Sequence, residues 1–272
     1  MAMSGFSLDS GCFLPSEAEG ARIALGPPAL DRMLGGGLLP ARLHEIVPET
    51  IFQLGAAAGF ALAIASLALR GGLSRRGGAV IWIQQEMAAL EGGAPYGPGA
   101  CLFGIAQKQL LLVKTATAKD ALWAMEESLR CPGVGVAIAE LAGPGDAADL
   151  TATRRLNLVA DSHGVLPLLL RHQPLTGTSA CATRWQMRSA PGHGDGLGGI
   201  GGTAFALTLT KNQRGTTGDW HVEWNPDERL FRTALPGAVA APAEDRPHRA
   251  TGEIRAFGGS GRVWKRAVSH RR

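Results

Sequence analysis

Apolar strands alternate with amphipathic helices through the middle of the chain, and this alternation restricts the folds that the sequence can adopt. The strand pattern "GVGVAIAEL" is almost entirely apolar and follows the helix pattern "TAKDALWAMEESLRC". A second helix pattern, "DLTATRRLNLVADSHG", leads into the strand pattern "VLPLLLRHQ". Strands without polar alternation are buried on both faces, as in a parallel sheet covered by helices. The chain is therefore predicted to be an α/β protein with a mainly parallel sheet and helices on both faces.

The segment "TAKDALWAMEESLRC" carries the clearest helix signal in the sequence. Thr117 and Asp120 stand at the spacing of a capping box, which predicts that the helix begins just after Thr117. Apolar residues at helical spacing predict the buried face: Leu122, Met125 and Leu129. Polar residues between them predict the solvent face: Glu126, Glu127 and Arg130.

The first third of the chain contains one long apolar segment, Leu54–Leu69. A short helix over Ala29–Leu34 and a strand near Arg42–Val47 are predicted ahead of it. The segment is shorter than a typical membrane span and rich in Ala and Gly, which favours a buried helix, Gly55–Arg70, over a membrane-spanning one. A compact strand is predicted to follow at Ala79–Ile83, and the later segment "GGAPYGPGA" is predicted to be a loop. No role at a membrane is expected.

The pattern changes in the last third of the folded part. "ATRWQMRSA", "GGTAFALTLTKNQ" and "DWHVEWN" alternate between polar and apolar residues, or run apolar, around Gly-rich turns. This pattern is typical of antiparallel strands. Trp220 and Trp224 share one face of the last of these segments and are predicted to pack in the core or at its edge. The parallel sheet is therefore predicted to continue into an antiparallel portion.

Composition divides the chain into three parts. A flexible N-terminal lead is predicted for residues 1–20, one domain for 21–232, and a disordered basic tail for 233–272, which is rich in Pro, Ala, Gly and Arg. The chain has a net charge of +4, but residues 241–272 hold eight Lys/Arg against three Asp/Glu, so this segment contributes +5 and the remainder −1. The folded part is therefore not expected to present a broad positive field to nucleic acid.

The cysteines are widely scattered and include no Cys-x-x-Cys pair: Cys12, Cys101, Cys131 and Cys181. This spacing argues against a disulfide framework and against a zinc site, and it fits a reducing compartment. His44, His163 and His172 also lack metal-ligand spacing and are interpreted as incidental. A cytoplasmic protein without a metal or cofactor is expected.

Several segments, taken in order, resemble the core of RecA-type ATPases. "LGPPALDRMLGGGLLPARLHEI" resembles the entry into that core, and "LTKNQRGTTGDWHVEWN" resembles its closing hairpin. "AVIWIQQEM", "GVAIAEL" and "LLLRHQ" resemble three of its strands. By this resemblance Glu86 lies near the catalytic glutamate, Glu140 replaces the Walker B aspartate, and Gln173 matches the sensor glutamine.

The set "DALWAMEESLR", "LLLRH" and "ATRW…LTKNQRG…W" most resembles the ImuA family. ImuA proteins are RecA-like accessory proteins of SOS-induced mutagenesis in bacteria. The resemblance implies a non-catalytic accessory or recruitment subunit in DNA-damage-induced mutagenic translesion synthesis. The implied partners are an ImuB-like inactive relative of Y-family polymerases, an error-prone C-family polymerase and the RecA filament. Association with the nucleoid after DNA damage is implied as well.

A RecA-type ATPase needs a Gly-rich loop, a Lys and a Ser/Thr to hold the phosphates and Mg²⁺. In one register the equivalent positions are Phe52, Gln53 and Leu54. In a register one turn longer they are Gly59, Phe60 and Ala61. The first lysine of the chain is Lys108, and no Gly-Lys-Ser/Thr sequence occurs. Because loss of one charge-stabilising donor raises a barrier by roughly 3 kcal/mol, the sequence predicts a degenerate phosphate loop and no ATP hydrolysis.

Without a phosphate loop, the other ATPase-like positions have no nucleotide to act on. Glu86 and Glu140 are interpreted as solvated carboxylates at strand ends and Gln173 as a polar cap, so that all three are vestigial. The chain is therefore not expected to be an enzyme.

Basic and aromatic residues late in the chain are candidate contacts for partner proteins or DNA. In the folded part they are Arg154, Arg155, Arg171, Arg184, Trp185, Lys211, Asn212 and Arg214. In the tail they are Phe257, Trp264, Lys265 and Arg266. An Arg-Trp pair can anchor an interface, and aromatic residues among basic ones suit a motif that folds on binding or contacts phosphates. A solvated helix face, a half-buried tryptophan and an inert tail are the alternative interpretations.

Three other functions fit the same sequence. One is a divergent ATPase with a non-standard loop, and another is a DNA-binding mediator with weak or tail-mediated contacts. The third is a cell-division inhibitor resembling SulA, a RecA-like core that also lacks the loop; the longer C-terminal region here favours ImuA. The segments that match the DNA-binding loops of recombinases, "AGPGDAAD" and "PLTGTSA", contain no basic residue, so strand exchange is not expected.

Overall fold

One nine-stranded sheet and six helices form the described part of the chain. The computed structural model describes residues 22–71, 78–143, 148–173, 177–193 and 201–234. The strands are β1 (His44–Pro48), β2 (Ala79–Gln85), β3 (Leu110–Thr115), β4 (Val134–Leu141), β5 (Leu166–Arg171), β6 (Thr183–Ala190), β7 (Ala204–Asn212), β8 (Gly218–Asn225) and β9 (Leu230–Thr233). The helices are α1 (Pro28–Met33), α2 (Leu54–Arg70), α3 (Glu86–Gly92), α4 (Gly97–Leu102), α5 (Ala118–Leu129) and α6 (Leu150–His163).

Some predictions fall on residues that the structure does not describe. The predicted lead 1–20 lies outside the described residues, and so does the predicted tail from residue 235 onward. The tail contact candidates lie outside them as well: Phe257, Trp264, Lys265 and Arg266.

The sheet has the order β3-β2-β4-β5-β1-β6-β7-β8-β9. The strands from β3 to β6 in this order are parallel. The pairs β6–β7, β7–β8 and β8–β9 are antiparallel. The predicted fold class, a mainly parallel RecA-like α/β sheet that continues into an antiparallel portion, is confirmed.

Helices cover both faces of the parallel strands, and the side chains of β4 alternate between the two faces. Ile138 packs in the cluster that contains α2. Ala137 and Ala139 pack in the second cluster, which contains the buried faces of α5 and α6. Every residue of β4 is buried, because successive strand side chains point to opposite faces and both faces are covered.

Helix α2 is the apolar centre of one face. Twelve of its 17 residues are buried, and a Cβ atom on Gly59 would lie only 3.2 Å from the Phe103 ring. The ring of Phe60 lies 5.7 Å from that of Trp185 and 5.6 Å from that of Phe231. With the 3₁₀ turn before it, the helix forms an apolar segment, Ile51–Arg70, long enough to cross a membrane, but α2 packs against the sheet as the sequence predicts.

The helix ends follow ordinary capping chemistry. Thr117 begins α5 as predicted, because its hydroxyl accepts a hydrogen bond from the Asp120 amide at 3.1 Å. The Asp149 carboxylate accepts from the Ala152 amide at 2.8 Å and begins α6. Gly164 ends α6 in the left-handed conformation, with φ of 70°.

Two predictions from the sequence, one for α5 and one for the segment that contains α4, are wrong. Glu126 does not face solvent: it is only 9% exposed, because it accepts from Arg130 at 2.8 Å and pairs with Arg155 at 2.5 Å. The segment "GGAPYGPGA", predicted to be a loop, contains the start of α4. There Pro98 occupies the first turn, where the missing amide hydrogen costs no helical bond.

We expect Phe60→Ala to lower the free energy of unfolding by about 3–5 kcal/mol, because it removes a fully buried ring from the core. Urea unfolding followed by circular dichroism measures this change. Phe52→Ala is the matched control: Phe52 is 92% exposed, so this variant should differ from the unmodified protein by less than about 0.5 kcal/mol. Equal effects of the two substitutions would contradict the described packing of α2.

Candidate functional site

The turn from β1 into α2 occupies the position of a phosphate loop in the predicted fold. Only residues 49–53 separate the strand from the helix, and Ile51–Gln53 form a single 3₁₀ turn that runs into α2. The amide of Glu49 donates to the Met187 carbonyl at 2.7 Å, and the amide of Gln53 donates to the Thr50 carbonyl at 2.9 Å. These two N–H groups are therefore already bonded within the protein.

The side chains of this turn differ from those that hold phosphate. Phe52 projects into solvent with 92% exposure. The Gln53 side chain accepts from the amide and hydroxyl of Ser189 at 2.8 and 2.9 Å, and Leu54 is buried. The longer register, Gly59 to Ala61, falls inside α2 and is buried.

A buried network centres on Glu140, near the carboxyl end of β4. One of its oxygens accepts hydrogen bonds from Trp82 Nε1 at 2.8 Å and Gln84 Nε2 at 2.9 Å. The other lies 2.9 Å from His172 Nε2. Glu140 is only 5% exposed, so its interpretation as a solvated carboxylate is wrong. Three polar groups replace the water that it has lost.

His172 joins this network to helix α3. Its Nδ1 atom lies 2.6 Å from Glu91 Oε2, on the opposite side of the ring from Glu140. Carboxylates only accept hydrogen bonds, so the doubly protonated ring satisfies both of them. Burial alone would lower the pKa of His172, but the hydrogen bonds and charges of Glu140 and Glu91 raise it overall. The two carboxylates flank the ring instead of converging on one point, so this trio does not form a metal site.

The other two ATPase-like residues lie next to this network but outside it. Glu86 is the first residue of α3 and is exposed, as its interpretation as a solvated carboxylate predicts. Gln173 follows His172 and is exposed. Glu140 was therefore among the candidates from the sequence, whereas His172, Glu91 and Gln84 were not, because their contacts depend on strand order. Only the position of His172 beside the predicted sensor residue could have pointed to it.

A pocket of about 270 Å³ opens beside this network, at the carboxyl ends of β2 and β4. The first two turns of α2 form one wall, and the loop Gly93–Tyr96 with α4 forms the other. Trp82 and Glu140 also line the pocket. In open α/β sheets, ligands bind in the crevice outside the carboxyl ends of the strands. This pocket is therefore the candidate binding site of the described structure.

A second buried network joins β1, β5 and β6. Glu45 is fully buried and lies 3.4 Å from Arg171 Nη2 and 2.6 Å from Arg184 Nε. Burial alone would raise the pKa of the Glu45 carboxyl group, but the two arginine charges and the hydrogen bonds from Arg184 and Ser179 bring it below the usual value. Glu45 is therefore a buried carboxylate whose charge is compensated by two arginines.

Two of the predicted contact residues, Arg171 and Trp185, are buried in the protein interior. Arg171 is 2% exposed and donates to the Ala148 carbonyl at 2.8 Å. Trp185 is fully buried and donates to the Thr183 hydroxyl at 2.8 Å. The prediction that Arg171 and Trp185 contribute to a contact surface is wrong, because neither side chain reaches the surface. Arg184 is 21% exposed and is held by Glu45.

The remaining candidates lie at or near the surface. Arg155 is exposed and paired with Glu126 at 2.5 Å. The Lys211 ammonium donates to the Ser179 carbonyl at 2.6 Å. The Asn212 side chain donates to the Thr216 carbonyl at 3.1 Å, which fixes the turn of the β7–β8 hairpin. The two tryptophans of β8 pack as predicted, Trp220 against Trp185 and Trp224 against Phe231.

The structure brings Arg154 and Arg214 together at one groove of about 530 Å³ on the α6 side. Arg42, which sequence analysis did not select, also lines this groove and lies 3.5 Å from Asp161. The other lining residues are Leu39, Asn157, Leu158, Ala180 and Gln213. Three guanidinium groups at one groove favour an anionic ligand.

The fold and the turn that begins α2 define the chain as a RecA-like α/β protein with an exposed phenylalanine at the start of its central helix. No protein-family model matches the chain. It is similar to Protein ImuA from two strains of Caulobacter vibrioides, with 28% identity over 211 residues. Each match covers 73% of this chain and 81% of the relative. The predicted resemblance to the ImuA family is confirmed.

We expect the stabilising effect of His172 to depend on pH. Because its pKa is raised from 6.5 in the folded protein, its stabilisation is fully present below pH 6.5 and is lost as the pH rises through the raised value. The difference in unfolding free energy between the unmodified protein and His172→Gln should therefore shrink as the pH rises. Urea unfolding across a pH series measures it.

Glu91→Gln provides the control for this prediction. It removes one of the charges that raise the pKa of His172, so the pH-dependent loss should be smaller and should be complete at a lower pH in this variant. A difference between unmodified protein and His172→Gln that grows as the pH rises would contradict the described network.

Proposed function

We propose that this chain is a non-catalytic accessory protein of DNA-damage-induced mutagenic translesion synthesis, acting in the cytoplasm through contacts with other proteins. The similarity to Protein ImuA supports a place in this system. The RecA-like sheet supplies a rigid scaffold, and the proposed contacts lie on its surface.

The observation that carries the non-catalytic proposal is the turn between β1 and α2. Phosphoryl transfer depends on positioned cations and N–H donors around the phosphates. Here the turn presents Phe52 to solvent, binds its Glu49 amide to Met187, and contains no lysine or arginine. The Glu49 carboxylate, which is half exposed, pairs with Arg188 at 3.7 Å. These features support a scaffold that does not use nucleotide.

The proposed partners follow from the family resemblance. They are an ImuB-like inactive relative of Y-family polymerases, an error-prone C-family polymerase and the RecA filament at the nucleoid. An assembly factor of this kind needs exposed apolar surface. Tyr96 and Leu102, which line the pocket beside α2, and Phe52 and Leu90, on the segments next to it, are each more than 60% exposed.

The absence of nucleotide binding is tested by thermal unfolding with and without ATP and Mg²⁺. A ligand at 100 times its dissociation constant adds about 2.7 kcal/mol to stability. We expect no change in the midpoint at millimolar ATP and Mg²⁺ relative to Mg²⁺ alone. A reproducible increase that requires ATP would instead support a divergent ATPase.

The accessory role is tested by co-purification of the tagged full chain with two proposed partner subunits, the ImuB-like protein and the error-prone C-family polymerase, from cells treated with a DNA-damaging agent. We expect both subunits to be retained by the unmodified chain and lost from a tag-only control. Retention of the tubulin-like division protein in place of the polymerases would overturn the proposal and favour a SulA-like inhibitor.

The arginine groove favours a second candidate function, contact with single-stranded nucleic acid. Arg42, Arg154 and Arg214 line one groove, although the folded part as a whole has little net positive charge. Each cation that neutralises a phosphate on a single strand contributes about −0.7 to the slope of log K against log salt.

We expect the double substitution Arg154→Gln and Arg214→Gln to weaken oligonucleotide binding and to reduce this slope by about 1.4. Fluorescence anisotropy of the full chain with labelled oligothymidylate, over a salt series, measures both changes. The control is Arg188→Gln with Arg232→Gln, which removes the same charge at side chains that are 48% and 61% exposed. Equal losses in the two double variants would assign binding to overall charge instead of the groove.

A further inference from the structure

Exposed apolar side chains concentrate around the pocket beside α2. In the described residues, nine large apolar side chains are exposed, and six of them belong to the turn before α2, to α3 or to the loop and helix that follow α3. The six are Ile51, Phe52, Met87, Leu90, Tyr96 and Leu102. We call this set the apolar rim. Large exposed apolar patches on soluble proteins mark interaction sites.

The pocket is large enough for one bulky side chain. Its volume of about 270 Å³ exceeds that of an engineered cavity of roughly 150 Å³ that binds benzene. Trp82 and Phe103 contribute aromatic walls, and Gly55 leaves the surface of α2 open beside them. The lining is mostly apolar, and its charged member is Glu140, whose oxygens already accept from Trp82, Gln84 and His172.

The charged side chains beside this pocket are net negative. Glu86, Glu91 and Glu140 outnumber one cation, the imidazolium of His172, which lies between Glu91 and Glu140. Two of these glutamates, Glu86 and Glu91, lie on α3 beside Leu90. Glu86 is exposed, and Glu91 keeps 31% of its side chain accessible while it contacts His172. A basic partner complements this border, and an acidic or phosphate-rich one is repelled.

We infer that the pocket and its apolar rim dock a basic segment of a partner protein, which inserts one large apolar or aromatic side chain between α2 and α4. The anchor packs against Trp82 and Phe103, and flanking lysines or arginines of the segment face Glu86 and Glu91. A buried aromatic anchor with surrounding charges is the usual composition of an interface centre. The inference rests on the proposed function, because it names the surface through which an accessory protein contacts its partner.

Gly55 offers a substitution that closes the pocket without disturbing the fold. It lies in the first turn of α2, lines the pocket, and has nothing within 4 Å of the position that a Cβ atom would take. Leucine is also a better helix former than glycine, so Gly55→Leu should fold and fill the pocket mouth. The matched control is Gly133→Leu, at an exposed turn before β4 where the Cβ position is also open.

Three synthetic peptides test the chemistry of the occupant: Lys-Arg-Trp-Leu-Lys-Arg, its acidic counterpart Glu-Asp-Trp-Leu-Glu-Asp, and Lys-Arg-Ala-Ala-Lys-Arg. Fluorescence anisotropy with the full chain should show binding of the first peptide only, with at least tenfold weaker binding of the other two. Gly55→Leu should weaken binding of the first peptide at least tenfold, and Gly133→Leu should change it less than twofold. Unchanged binding by Gly55→Leu, or equal binding of the acidic or alanine peptide, would overturn the inference.

A second measurement separates this inference from the proposed function. If the unmodified chain retains the polymerase subunits and Gly55→Leu loses them while Gly133→Leu keeps them, the pocket is the docking site. If all three proteins retain the subunits, the docking site is elsewhere and the accessory role stands. If the unmodified chain retains neither subunit, the accessory role fails. If Gly55→Leu instead converts a dimer to a monomer in analytical ultracentrifugation, a second copy is the occupant and the inference is overturned.

Discussion

The packing of α2 against the sheet is the contact on which the rest of the structure depends. Its alanines and glycines allow the helix to approach the strands closely, and Phe60 fills the space between them. That ring touches Trp185 of β6, Phe205 of β7 and Phe231 of β9. One helix therefore joins the parallel half of the sheet to the antiparallel half, and it also fixes the wall of the pocket at its first two turns.

Much of the fold could be predicted because its elements carry strong local patterns. β4 is a continuous apolar run, and α5 and α6 have capping residues at the spacing that their first turns require. Helix α4 was missed because "GPGACL" has the composition of a turn. It is only six residues long, and tertiary contacts stabilise it, including a hydrogen bond from Trp224 Nε1 to the Leu102 carbonyl at 3.2 Å. Propensity alone does not reveal such an element.

The candidate site could be predicted only in part, because its polar contacts join residues that are distant in sequence. Glu140 and His172 are 32 residues apart, and Glu45 and Arg171 are 126 residues apart. Both pairs form because β4, β5 and β1 are neighbours in the sheet, and no local spacing encodes that order. The sequence also does not distinguish a buried charge from a solvated one, so Arg171 looked like a surface residue and Glu140 like a solvated carboxylate. The lack of a lysine and a hydroxyl residue at Phe52, Gln53 and Leu54 is visible in the sequence itself, but the exposure of Phe52 depends on how the turn packs.

The position of β1 at the centre of the sheet has a consequence for how the chain is made. β1 pairs with β5 and β6, whose partner residues for His44 lie 124 and 139 residues later. Helix α2 is therefore synthesised long before these strands. Together with the 3₁₀ turn before it, it forms the apolar segment Ile51–Arg70, which is long enough to cross a membrane. At roughly 5–20 residues per second, translation from the end of α2 to the end of β6 leaves this helix uncovered for about 6–24 seconds. During that interval the nascent chain exposes to chaperones, and to the membrane-targeting machinery, a segment that the finished protein keeps inside.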